Sequence, residues 1–177
     1  MKNLIVVFAV VSFIFTSCTT VKFETAQPAG GKILTEFPKK FVGSYSNSDK
    51  DTLIIMKSSY IQGKEKESKL AATGNAVEGE SVLKKLGKNY VLSIKDEKAW
   101  EVVVITSEKN TLGVLYINLE TDKEQIINNL KATTSTKEFE NDEGRIEYYL
   151  VNPTKKEFKN LIKKNVFTRT MTFEKFK

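Results

Sequence analysis

From Phe41 to Phe176 the chain runs in short stretches where apolar and polar residues alternate, each broken by Asp, Asn, Gly or Lys. A period of two is the signature of half-buried strands, and the breaks are turn chemistry. "FVGSYS" and "DTLIIMKS" flank the turn "NSDK"; "SVLKKLG" and "KNYVLSIKD" meet at Gly87. "AWEVVVITSE" and "TLGVLYINLE" are joined around Lys109 and Asn110, and "ATTSTKEF" and "RIEYYLVN" enclose the acidic turn "ENDEG". With the closing segment "VFTRTMTFEKF", the pattern predicts about nine or ten strands at the regular spacing of a sandwich or barrel.

Two segments carry the helical period instead. In "NPTKKEFKNLIKKN", Thr154 and Glu157 stand in capping-box relation, and Phe158, Leu161 and Ile162 share one face. Lys163 and Lys164 fall at the end where the macrodipole favours cations. "TDKEQIINNL" is shorter, with Thr121 and Glu124 in the same relation. The fold expected is therefore mainly β: one antiparallel barrel or strongly curved sheet over residues 33–177, with a C-terminal helix before the last strand.

The first twenty residues follow another pattern. A cationic start, Met1-Lys2-Asn3, precedes the apolar run "LIVVFAVVSFIF" from Leu4 to Phe15. That run is too short to span a bilayer core comfortably and suits the apolar region of a secretion signal. Small residues follow at Thr16 and Ser17, and then comes Cys18, the single cysteine of the chain. Phe15-Thr16-Ser17-Cys18 resembles the lipobox of bacterial lipoprotein precursors, with phenylalanine where leucine is commoner. The resemblance implies a signal peptide over residues 1–17, cleavage before Cys18, and acylation of its sulfur. The mature chain would then be held to the cell envelope. Because aspartate is absent at Thr19, the sorting rule of such proteins leans to the outer membrane, facing the periplasm. Residues 18–32, with Pro28 and Gly30-Gly31, read as the lipidated cysteine and a flexible tether reaching about 45 Å when stretched.

Composition removes whole classes of chemistry. The 177 residues include no histidine, which excludes Ser/His/Asp and Cys/His catalysis and His-ligated zinc. The formal charge is +6, from 28 cations and 22 anions, and only Arg145 and Arg169 are arginine. A lysine coat lacks the bidentate forks that nucleic-acid readers favour and is compatible with an anionic membrane nearby. "NSDKD" opens like a calcium loop, but Thr52 and Ser58 stand where glycine and the bidentate glutamate are required. No glycine spacing matches a phosphate cradle. Lys155, Lys156, Lys159, Lys163 and Lys164 form the densest basic patch, read either as the wet side of a helix or as a contact to anionic lipid or an acidic partner. Neither a catalytic centre nor a cofactor or metal site is expected.

Three residues remain as candidates in the domain. Alternation puts Arg169 on the face of Phe167, Met171 and Phe173, so its charge needs an aromatic ring, a carboxylate or an open strand end. Trp100 begins the strand "WEVVVI", where it either packs in the core or serves as a binding platform. Gly43-Ser44-Tyr45 resembles the G-x-W segment that opens the lipocalin barrel, with Tyr45 for tryptophan, and helix 154–164 followed by a late strand is similar to that family's close. The resemblance implies Arg169 stacked on Tyr45 as barrel closure. Two functions follow as expectations: a non-catalytic lipoprotein holding a small amphiphile or lipid in a barrel cavity, or an envelope lipoprotein with a solid β core that engages another protein.

Overall fold

Each expected hairpin forms where its turn residues stand. In the computed structural model, which describes residues 19–63, 70–75 and 80–176 (backbone alone at 70–75, 169 and 170), β3 (Gly43–Ser46) pairs with β4 (Thr52–Ile55). Then β7 (Ser81–Leu86) pairs with β8 (Asn89–Asp96), and β9 (Ala99–Glu108) with β10 (Thr111–Tyr116). Likewise β11 (Thr136–Glu140) pairs with β12 (Ile146–Val151). Gly87 turns with φ +63°, a conformation open to glycine without a Cβ clash. The last strand, β13 (Arg169–Lys175), lies between β10 and β3.

The sheet has thirteen strands, more than the pattern predicts. The additional ones are β1 (Thr20–Phe23), β2 (Ile33–Leu34), β5 (Ser59–Gly63) and β6 (Leu70–Asn75). These short strands give too little alternation to register locally. The order runs β11-β12-β1-β9-β10-β13-β3-β4-β5-β6, with β8 on the other edge of β9, then β7 and β2. All described pairs are antiparallel except β1 with β12. The whole curls strongly into a half-barrel, with a helix before the last strand.

One edge of β9 serves two neighbours. Near its start Trp100 is opposite Phe23 of β1, while Val104 to Glu108 pair with β10. The sheet forks there, and β9 separates two cores. Val102 and Val104 face the first, together with Ile126 and Leu130 of α1 (Lys123–Lys131) and Phe158 and Leu161 of α2 (Lys155–Lys163). Val103 and Ile105 face the second, inside the half-barrel, with Tyr45, Leu53, Leu112 and Phe173.

The α2 helix forms as its sequence predicts. Thr154 N–H donates to Glu157 Oε2 at 2.8 Å, and Glu157 N–H donates to Thr154 Oγ1 at 3.3 Å, so the capping box is complete. Phe158 and Leu161 are fully buried, each burial contributing about 1.5–3 kcal/mol. The α1 helix differs from expectation. Asp122, in the left-handed region at φ 52°, occupies the cap position with no side-chain cap, and the box of Thr121 and Glu124 is not formed. The sharp entry turns the chain from β10 into the helix one residue too late for Thr121 to cap it.

The tether reading of residues 18–32 is corrected. Cys18 lies outside the described residues, but Thr20–Phe23 is a sheet strand, parallel to β12, with Phe23 at 1% exposure. Phe23 packs edge-on against Phe158 at 6.0 Å and stacks with Phe167 at 6.4 Å. Beyond it, Gln27 is fully buried and its N–H donates to Ser93 Oγ at 2.9 Å. Lys84 donates to the carbonyls of Ala26 at 2.7 Å and Pro28 at 3.1 Å, and its burial pushes its pKa down. The domain therefore includes the segment from Thr19 onward. Only two apolar residues, Val21 and Phe23, alternate in β1, and its partners in β12 lie 128 positions away, so nothing local announces it.

Two substitutions check this arrangement. Phe23→Ala leaves a cavity beside the rings of Phe158 and Phe167 and costs about 3–5 kcal/mol in urea denaturation, whereas a free tether residue would cost nothing. Thr154→Ala removes the cap of α2 and costs about 1 kcal/mol.

Candidate functional site

The concave face of the half-barrel is built by alternation. Leu53 and Ile55 point inward from β4, Leu92 and Ile94 from β8, and Met171 and Phe173 from β13. Their partners on the alternate positions face outward or into the other core. One end of the interior is filled. Phe41, from the 3₁₀ turn Lys39–Phe41, packs edge-on against Tyr90 at 4.9 Å, and Phe37 meets Tyr60 at 6.3 Å. Between these rings and the sheet remains a cavity of about 110 Å³, walled mainly by aliphatic and aromatic side chains such as Leu53, Ile55, Val103 and Val114. Gln62 brings an amide to the wall and Tyr60 a phenol. Burial pushes the Tyr60 phenol up from its ordinary pKa, so it stays neutral and can act as a hydrogen-bonding group rather than as a base.

Tyr45 stands beside this space as a structural plug. It is 2% exposed, and its hydroxyl donates to the carbonyl of Phe41 at 2.9 Å, tying β3 to the 3₁₀ turn. A cation does lie over its ring, but it is Lys175, whose Nζ is 5.6 Å from the ring centroid and donates to Val42 O at 2.7 Å. The register explains the difference from the expected Arg169. Tyr45 is opposite Lys175, whereas Arg169 is opposite Tyr116, six positions along the same strand and so about 20 Å away. Stacking of Arg169 on Tyr45 is thereby ruled out by the backbone alone.

Trp100 belongs to the other core. It sits where β9 pairs with β1 and is half-buried against the helix-side cluster, across the sheet from the cavity. Tyr45, Trp100 and Arg169 thus occupy three separate places, and Cys18 lies outside the described residues. The site residues that sequence reasoning missed are the aliphatic lining of the cavity. Their signal was present as the alternation of Leu53 with Ile55 and of Leu92 with Ile94, but a cavity is a deficit of volume, which alternation does not encode.

The remaining polar clusters close on themselves. In "NSDKD", Asn47 Nδ2 donates to Asp51 Oδ2 at 3.1 Å and Asp51 N–H donates to Asn47 Oδ1 at 2.8 Å, so the oxygens serve the β3–β4 turn. The five α2 lysines are all exposed, on the side of the helix away from Phe158 and Leu161. Among the described residues no helix is long and apolar enough to cross a membrane. No family model, no curated protein and no solved structure matches the chain.

The buried phenols generate a pH prediction. Burial raises the pKa of both Tyr45 and Tyr60 above the ordinary value of 10.0. The stability they contribute is then fully present below pH 10.0 and is lost as pH rises through their higher folded-state values. Urea midpoints measured from pH 8 upward should stay level and then fall, with late phenolate absorbance. Tyr45→Phe leaves the Phe41 carbonyl without its donor and should cost about 1 kcal/mol.

Proposed function

We propose that this chain is a non-catalytic, envelope-anchored lipoprotein whose half-barrel receives the apolar end of a small amphiphile. The anchor is the diacylglycerol that the lipobox-like Phe15-Thr16-Ser17-Cys18 implies on Cys18, and the absence of aspartate at Thr19 supports the outer membrane as its address. Acyl chains contribute about 0.8 kcal/mol per buried methylene, so two or three chains hold firmly where one does not.

The observation that carries the binding reading is the cavity of about 110 Å³ on the concave side of the half-barrel. An apolar cavity of comparable size, roughly 150 Å³, stays dry and takes benzene, so this one suits a ring or a short hydrocarbon end rather than a whole lipid. Four methylenes would supply about 3 kcal/mol, short of the roughly 4 kcal/mol that corresponds to millimolar binding. Hydrogen bonds from the ligand's polar head to groups such as the Gln62 amide must supply the rest. Affinity of the order of millimolar is expected.

The filled end of the interior, with Phe41, Tyr45 and Tyr90 in contact, favours the alternative of a solid core that engages another envelope protein. Native mass spectrometry of protein purified from its host separates the two. A co-purifying small molecule that is lost in Val103→Phe, with the melting temperature changed by only a few degrees, supports the binding reading. A ligand-free mass, together with no saturable shift on titration with medium-chain fatty acids, removes it. The anchor has its own check: Cys18→Ala should abolish acylation and normal signal cleavage, and a variant that is processed normally and stays in the membrane fraction would refute it.

A further inference from the structure

We propose that the outward face of β11, β12 and β1 lies against the bilayer surface, so that the lipid holds the domain in one orientation instead of on a free leash. The proposal rests on the acylation of Cys18. With the signal removed before Cys18, the acylated residue is bonded directly to Thr19, and Thr19 is already part of the fold. Its hydroxyl donates to Ile146 O at 3.1 Å and accepts from Lys123 Nζ at 3.1 Å, and Thr20 pairs with Tyr148 in the sheet. One residue reaches at most about 3.6 Å, against about 45 Å for the tether expected from sequence. Whatever surface surrounds Thr20 must therefore meet the headgroups.

That surface has the composition of an interfacial belt. Alternation along the three strands sets Thr20, Tyr148 and Phe139 in one cross-strand row, pointing away from the helix-side core that holds Val21 and Tyr149. The Phe139 and Tyr148 rings stack at 4.6 Å and 8°, and Phe139 is 38% exposed, so the pair packs against itself and not against the protein interior. In the next row of the same face Lys22 and Lys137 flank Leu150. Lys22 Nζ lies 5.0 Å over the Tyr148 ring while bonded to Asp96 at 2.7 Å, and Lys137 is paired with Glu24 at 2.8 Å. An amphipathic ring such as that of Tyr148 beside lysines is what the headgroup region of a bilayer favours, and Phe139 adds apolar area to it. Because both lysines have acidic partners, the face is close to neutral and suits a zwitterionic surface. The acidic turn at the same end, with Asp142 and Glu143 beside Arg145, limits how deep the rings can go.

The test uses the full mature acylated protein in zwitterionic vesicles of phosphatidylethanolamine and phosphatidylcholine with brominated acyl chains, with Trp100→Phe to remove the native fluorophore. Phe139→Trp places a reporter on the proposed face, and Asp49→Trp places one in the β3–β4 turn of the half-barrel. Brominated lipid should quench the first by half or more and the second by less than a tenth. Equal quenching of the two, or quenching of the Asp49→Trp reporter alone, overturns the orientation while mass analysis still shows the acylated N-terminus. An N-terminal mass without acyl chains removes the lipoprotein reading, and this proposal with it.

Discussion

β9 is the strand on which the rest of the structure depends, because it is buried on both faces. Val104 is fully enclosed on the helix side and Ile105, the next residue, is 5% exposed on the barrel side. A sheet strand covered on both faces must have layers on either side of it, so neither core can form without the other. Its shared edge adds a second constraint. β1 takes the first part and β10 the second, and the sheet has to fork and curl where they part. The half-barrel and the helix-backed sheet are two consequences of that one strand.

The two cores are used differently. On the helix side, Phe23, Phe158 and Phe167 meet as three mutually touching rings, drawing together the N-terminal strand, α2 and the segment that leads into β13. Aromatic packing of this kind leaves little room for a ligand and much resistance to change. On the barrel side the curled sheet is wider than its side chains can fill, and Phe37 and Phe41 cap only part of it. Residual volume there is the geometric price of strong curvature. It leaves apolar wall exposed to whatever small molecule fits, which is why the cavity bears the weight of the functional reading.

Strand β1 ties the N-terminal segment into the sheet between β12 and β9. Polar contacts extend its grip beyond Phe23: Lys84 spans the Ala26 and Pro28 carbonyls, while Glu24 accepts from Lys137 at 2.8 Å and Asn152 at 2.9 Å. The lysine next to Glu24 holds its carboxyl below the usual range, so this clip is formed at neutral pH and weakens only in acid. Thr20 to Phe23 are thereby locked in the sheet beside Tyr148 to Val151.

Several features were legible in the residues alone. The hairpins around Gly87 and Lys109, the capped helix from Thr154, and the alternation that buries Phe173 all arise from interactions within a few positions of one another. Local sterics and short-range hydrogen bonds decide such elements, so a linear reading reaches them. The mainly β curled architecture followed from counting them. What only the tertiary structure decided depends on partners far away in sequence. β1 became a strand because Tyr148 to Val151 were waiting beside it, and Lys175 rather than Arg169 covers Tyr45 because register, not residue type, chooses neighbours. The cavity belongs to the same class, since an unfilled volume depends on how all the walls curve together and no single stretch of chain encodes it.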